Sequence, residues 1–195
     1  MHRSRACSTM CRSASSIVQV SDNSRTAWLG LGGNVGDPIA SMSEALRRLD
    51  QAADCSLVAV SRLYRTPPWG KTDQAWFFNA AAAVQTNLPP FDLLELCLDI
   101  ERAMKRVRQE RWGPRTLDID VLAYEGEILA DERLTLPHPR MKDRGFVLMP
   151  LADIAPDLVI DGRSVTGWLD DADKAGIEVA DQARDWWSKV SHDGL

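Results

Sequence analysis

A chain of 195 residues with 45% hydrophobic and 26% charged side chains is long enough for one sizeable core and is not a low-complexity polymer. A formal charge of −5 excludes a surface that is basic throughout, so any nucleotide or nucleic-acid ligand must meet a local cationic patch. No apolar run approaches the length of a membrane-spanning helix, and Cys7, Cys11, Cys55 and Cys97 lack C-x-x-C spacing, which reads as reduced thiols rather than disulfides or a zinc site.

Residues 1–26 carry four arginines, one acid and many serines, without the apolar stretch of a secretory signal. They read as a disordered extension or as the product of an early start codon. An organellar transit peptide is the alternative to a cytoplasmic protein. The folded unit is expected over 27–165. Ala27–Leu31 is a short apolar run ending in glycines, consistent with a buried strand. Pro38 opens a helix to about Gln51, with Ile39, Met42, Ala45, Leu46 and Leu49 at helical spacing. Ser56–Tyr64 alternates as a second strand, stopped by Thr66-Pro67-Pro68-Trp69-Gly70. Phe77–Thr86 is a third strand. Pro90 starts a second helix whose apolar stripe is Leu93, Leu94, Leu96, Cys97, Ile100 and Met104.

An arginine-rich loop leads into a strand from Thr116 to Tyr124. Glu125-Gly126-Glu127 is a turn after which Ile128-Leu129 is expected to pair back as a short hairpin. Residues 134–146 form a loop rich in proline and cations, and Phe146–Ile154 a helix ended before Pro156. The acidic tail over 166–195 is expected to form a terminal helix bearing Trp186 and Trp187 and packed on the domain, with no visible chemistry. The order predicts an α+β fold, a ferredoxin-like βαββαβ core with an antiparallel sheet and helices on one face.

The chemistry concentrates in Arg111-Trp112-Gly113-Pro114-Arg115-Thr116-Leu117-Asp118-Ile119-Asp120. Residues two apart on a strand share a face, so Asp118 and Asp120 point together while Leu117, Ile119 and Val121 enter a core. Two solvated acids on an exposed strand would look the same. The flanking cations favour a site: residues 101–120 hold six basic side chains against four acidic ones, two of them these aspartates. Hard carboxylate oxygens suit Mg²⁺, which completes its shell with water and phosphate, and arginines bind phosphate. Together they suggest metal-assisted phosphoryl transfer. Pro137-His138-Pro139-Arg140-Met141-Lys142-Asp143-Arg144-Gly145-Phe146 is a second cationic segment that could neutralise a polyphosphate. Phe77 and Asn79 share a face, and an aromatic beside an amide could hold a flat heteroaromatic ring or pack in a core.

Two other motifs fail. Gly30-Leu31-Gly32-Gly33-Asn34-Val35-Gly36 has valine where a dinucleotide fingerprint needs glycine, leaving either a close backbone approach to a ligand or a tight turn. Gly70-Lys71-Thr72 ends like a P-loop, yet Arg65 occupies the required first glycine.

From about Ala27 to Ile160 the chain resembles the 6-hydroxymethyl-7,8-dihydropterin pyrophosphokinase family of folate biosynthesis. The likeness rests on Gly32-x-Asn34, Tyr64-Arg65-Thr66-Pro67-Pro68, Phe78-Asn79-Ala80-Ala81, the Arg111–Asp120 run and the Pro137–Phe146 segment. It implies transfer of a pyrophosphoryl group from ATP to the pterin hydroxymethyl oxygen, with AMP released. It implies that Asp118 and Asp120 hold two Mg²⁺, and that these aspartates with Arg106 and Arg115 form the catalytic set. The pterin would stack between Phe77 and Phe146. Asn79 would read its edge beside Gly32, Thr66, Pro67, Pro68 and Asp118. ATP would lie among Glu101, Arg106, Arg108, Trp112, Arg115, Val121, Arg133, Thr135, His138 and Arg144. The implied partners are ATP and reduced pterin, with no nucleic acid, no membrane and a monomeric chain.

This sequence departs from the family pattern at Phe77, often tyrosine, at Trp69, commonly aliphatic, and at Pro139, a position that can be aromatic. The loop after Arg108 is one residue shorter than in some relatives. The competing readings are a ferredoxin-like RNA-binding module, which the acidic balance and missing aromatic motif oppose, and another two-metal enzyme such as a cyclase or nuclease.

Overall fold

The computed structural model describes residues 24–68, 75–104 and 116–189. In chain order the elements are β1 (Arg25–Gly33), α1 (Pro38–Gln51), β2 (Cys55–Val60), β3 (Leu63–Thr66), β4 (Phe77–Thr86), α2 (Pro90–Ala103) and β5 (Asp118–Tyr124). There follow the hairpin β6 (Leu129–Ala130) and β7 (Thr135–Leu136), α3 (Gly145–Ile154), the hairpin β8 (Val159–Ile160) and β9 (Arg163–Ser164), α4 (Val165–Asp171) and β10 (Glu178–Asp181). Short 3₁₀ turns span Met141–Asp143 and Trp186–Ser188.

The central sheet is antiparallel throughout, in the order β10-β3-β4-β1-β5, with β2 also paired to β4. Strand β4 is its spine. One edge of β4 runs along the whole of β1, and the other is shared between β3 at residues 77–79 and β2 at residues 82–86. This is the expected ferredoxin-like core. Helix α1 begins where Asp37 Oδ1 accepts the Ala40 N–H at 2.9 Å, with Pro38 in the first turn. Met42, Ala45, Leu46 and Leu49 of α1 join Leu93, Cys97 and Ile100 of α2 over the inward side chains of β1, β4 and β5. Burial pushes the Cys97 thiol up to about 12, so it stays protonated and inert. Cys55 is also a free, buried thiol. Cys7 and Cys11 lie outside the described residues.

Four expectations need correction. The sheet has helices on both faces rather than one: Leu148 and Leu151 of α3, with Met141, Ile160 and Val165, cover Ala81, Leu122 and Ala123 from the second side. The alanine run Ala80–Ala83 in β4 suits a strand covered on both faces, where bulk on either side is limited.

The second predicted strand is two strands. At the break, Ser61 Oγ donates to the Arg62 carbonyl and accepts the Ala81 N–H. The Arg62 N–H leaves the ladder for the Asp153 carboxylate at 3.1 Å. A side chain that competes for backbone groups ends the regular pairing. Ile128-Leu129 does not return against β5. Leu129 pairs with Leu136, and Ile128 is 87% exposed.

The segment after Val165 is not a terminal helix. It forms α4, then adds β10 to the sheet edge beside β3, and ends in the turn that carries Trp186 into the α1 side of the core. Among the described residues no helix is long and apolar enough to cross a membrane.

Asp153 on α3 ties the two layers together. It accepts hydrogen bonds from Arg62 Nε at 3.0 Å, Arg62 Nη2 at 2.6 Å and Tyr64 Oη at 2.9 Å. Burial pushes its carboxyl up, but the bonds and charge of Arg62 and the Tyr64 hydroxyl outweigh this and hold it below the usual carboxylate range. The lowered folded value means that its stabilising contribution is present above the unfolded pKa of about 3.9 and is lost as pH falls through the folded one. A melting series from about pH 6 to pH 3 should therefore decline steeply for the wild-type chain, and Asp153→Asn should flatten that decline. An identical acid limb in both would remove Asp153 from the explanation.

Candidate active site

The alternation of β5 sends Ile119 and Val121 into the core under α2 and leaves Asp118 and Asp120 half-buried on the α3 face. The cross-strand register explains why that face is hollow. Gly32 of β1 lies between Asn79 of β4 and Asp118 of β5, and Gly30 lies between Ala81 and Asp120. With no side chain in the middle strand of either row, a trough opens between the amide and the carboxylates. A Cβ on Gly32 would stand 3.3 Å from Asn79 Oδ1. Gly30, Gly32 and Gly33 lie in a strand and not in a tight turn. Of the Gly30–Gly36 run, only Gly36, at φ +67°, serves a turn.

The trough is the base of a cleft of about 1030 Å³. The ends of β3 and β4 supply Thr66, Pro67, Pro68, Phe77 and Asn79, and β5 supplies Asp118 and Asp120. The loop into α3 supplies His138, Pro139, Arg140, Asp143 and Arg144, and α3 itself Gly145 and Phe146. Asn79 is 8% exposed, and its Nδ2 donates to Thr66 Oγ1 at 3.0 Å, which fixes the amide plane. Phe77 and Asn79 do share a face, and Phe78 packs on the opposite side against the core. The Arg144 guanidinium lies 5.8 Å from the Phe146 ring centroid.

Burial lowers the pKa of His138, against the raising influence of the Asp120 charge, and Arg144 lowers it further. Its Nδ1 accepts the Arg140 N–H at 3.2 Å, so the neutral ring carries its hydrogen on Nε2. Among the described residues no cluster of three or more His, Cys, Asp or Glu side chains could hold a metal by protein ligands alone. Two carboxylates opening into the cleft fit Mg²⁺, which takes one or two carboxylates and leaves its other positions to water and substrate.

Every residue expected on the pterin side lines this one cleft: Gly32, Thr66, Pro67, Pro68, Phe77, Asn79, Asp118 and Phe146. Of those expected around ATP, His138 and Arg144 line it, and Arg106, Arg108, Trp112 and Arg115 lie outside the described residues. The remaining four do not line it. Glu101 is buried at the end of α2, where Oε1 accepts the Ile119 N–H at 2.7 Å and so positions the strand of the two aspartates. Val121 is a core residue. Arg133 pairs with Glu95 and lies over Phe91 on the α2 side, and Thr135 Oγ1 donates to the Asp131 carbonyl.

The cleft also contains residues that the sequence did not announce. Asp173, Ala175 and Ile177 from the tail form part of its wall. The one local signal was Gly176, a turn-former beside an isolated isoleucine in an otherwise polar stretch.

The family model for 7,8-dihydro-6-hydroxymethylpterin-pyrophosphokinase matches residues 28–156. The chain belongs to this pyrophosphokinase family. A 2-amino-4-hydroxy-6-hydroxymethyldihydropteridine pyrophosphokinase of Methylorubrum extorquens is 57% identical over 152 residues, spanning 78% of this chain and 96% of that relative. Proteins of the same name from Pseudomonas aeruginosa and Bacillus subtilis are 45% and 41% identical, covering 77% and 78% of this chain and 94% and 89% of their own lengths. Among solved structures, the wild-type HPPK-DHPS of Plasmodium falciparum superposes with a TM-score of 0.60 at 16% identity, over 79% of this chain. The chain spans 45% of the length of that solved protein, and at this identity the likeness shows the fold alone. The pyrophosphokinase assignment thus rests on the relatives of similar length and on the family match.

Proposed function

We infer that the chain transfers the pyrophosphoryl group of ATP to the hydroxymethyl oxygen of 6-hydroxymethyl-7,8-dihydropterin, releasing AMP. The observation that carries the site assignment is one cleft in which the paired carboxylates of β5 face the Asn79–Thr66 pair and the rings of Phe77 and Phe146. Asp118 and Asp120 would hold Mg²⁺, with two ions as the family likeness implies. Bound Mg²⁺ supplies charge neutralisation at the triphosphate and acidifies a coordinated hydroxyl.

The protein's own residues orient and select. Phe77 and Phe146 would sandwich the flat ring, and the Asn79 amide, held by Thr66, would present donor and acceptor to its edge. Neutral His138 would offer an N–H to phosphate oxygen, and Arg144 a permanent cation. Transfer in line with the departing AMP then depends mainly on positioning and charge stabilisation. A monomeric, cytoplasmic enzyme acting on ATP and reduced pterin, without nucleic acid, belongs to the same proposal.

The test is to incubate the full chain with ATP, Mg²⁺ and the reduced pterin, then separate the nucleotides. AMP formed only when pterin is present is the expected result. ADP, a cyclic nucleotide or unchanged ATP would overturn the assignment. Within the same assay, Asn79→Ala should raise the pterin KM about tenfold or more, since a ring edge loses its buried partner, with little change in the ATP KM. An unchanged pterin KM would remove Asn79 from ring recognition.

A further inference from the structure

We propose that the loop Asp173–Ile177 is a fixed wall of the ring-binding half of the cleft, with Ile177 as a specificity-determining residue for the pterin. The proposal rests on the reading of this cleft as the pterin site.

The loop is fastened at both ends. Upstream, Lys174 Nζ donates to the Leu169 and Asp170 carbonyls at 2.9 and 3.2 Å, tying the segment to the end of α4. Downstream, Glu178 and Val179 pair with Arg65 and Tyr64 of β3, and Glu178 forms an ion pair with Arg65. Between these anchors Asp173 Oδ1 accepts the Ala175 N–H, and the Ile177 N–H donates to the Lys174 carbonyl, with Gly176 at φ +72° completing a tight turn.

This turn fits between two edges that carry the expected pterin contacts. A Cβ on Gly145, the residue before Phe146, would stand 2.0 Å from the Asp173 carbonyl oxygen and 3.2 Å from Ile177 Cδ1. A Cβ on Gly176 would stand 2.9 Å from Cγ of Pro67. Two glycines therefore permit a close three-way contact of tail, α3 and the Pro67 corner. Residues 173–176 and 178–181 are exposed, whereas Ile177 is half-buried and lines the cleft. An apolar side chain set beside Gly145 in the wall of a cleft that Pro67 and Phe146 also line offers shape complementarity to a flat heteroaromatic ring, and offers nothing to a triphosphate.

The test uses the full chain carrying Ile177→Ala or Ile177→Val. The affinity for the reduced pterin is read by its fluorescence in the presence of Mg²⁺ and a non-hydrolysable ATP analogue. The affinity for the analogue alone and the melting temperature are read beside it. Ile177→Ala should weaken pterin binding about five- to tenfold through lost apolar contact. Binding of the analogue should hold within about twofold, and Ile177→Val should restore most of the pterin affinity. A pterin Kd within about twofold of wild type in Ile177→Ala would overturn the proposal, as would equal weakening of both ligands, which marks a purely structural role. If the wild-type chain itself binds no pterin, the functional reading fails and the wall falls with it. A wild-type chain that binds normally beside an indifferent variant sinks the wall alone.

Discussion

Replacing Asp118 or Asp120 with alanine is expected to cut turnover about a hundredfold or more, the scale seen when a key electrostatic group is removed from a reaction centre. Both side chains are half-buried at the open face of β5, and neither contributes to the apolar core. The melting temperature should therefore stay within a few degrees of wild type, since polar substitutions away from the core usually cost about 0.5 kcal/mol or less. Asparagine at either position preserves shape and removes charge, so it should be nearly as damaging as alanine. The measurement is AMP release at saturating ATP and pterin across a Mg²⁺ titration. Near-native turnover in both alanine variants would dismiss the metal assignment and with it the account of the site.

Trp186→Ala should produce the largest loss of stability, about 3–5 kcal/mol, because a large aromatic would leave a cavity in the core. Trp186 is 3% exposed and packs in the cluster formed by α1, α2 and the sheet. Its indole Nε1 also donates to the Ser61 carbonyl at 3.0 Å, at the break between β2 and β3. Alanine would leave that carbonyl without its donor as well as opening the cavity. A loss of this size corresponds to a fall of about 10 °C in melting temperature for a chain of this length. Trp186→Phe keeps most of the packing and should fall between the two. Thermal unfolding by circular dichroism reads the order directly. If Trp186→Ala melted with the wild type, the terminal turn would be an ornament to the core and not part of it.

Periodicity made the scaffold legible. Pro38 and Pro90 marked helix starts at the positions where α1 and α2 begin, and the Phe77–Thr86 run matched β4 residue for residue. The aspartate pair was readable because a strand's period of two is insensitive to the surrounding fold. What periodicity missed was tertiary competition. The break at Ser61 depends on a carboxylate 91 residues away that captures the Arg62 N–H. The trough depends on Gly30 and Gly32 falling in register with Ala81, Asn79 and the two aspartates, which only strand pairing decides. The tail was the poorest reading: it was expected as a terminal helix, yet Val179 pairs with Tyr64 in the sheet and Trp186 reaches the interior from a short turn. Val121 and Thr135 were expected beside ATP from the family likeness alone; the fold puts the Val121 side chain in the apolar core and the Thr135 hydroxyl on the Asp131 carbonyl.

Among the described residues the sheet ends on one side at β10, whose four residues are all exposed and include Glu178 and Asp181. An unpaired strand margin is a template on which a foreign chain can add itself, and brevity with like charges makes it a poor one. By covering β3 with so short and acidic a border, the tail guards the molecule against edge-on aggregation as well as walling its cleft.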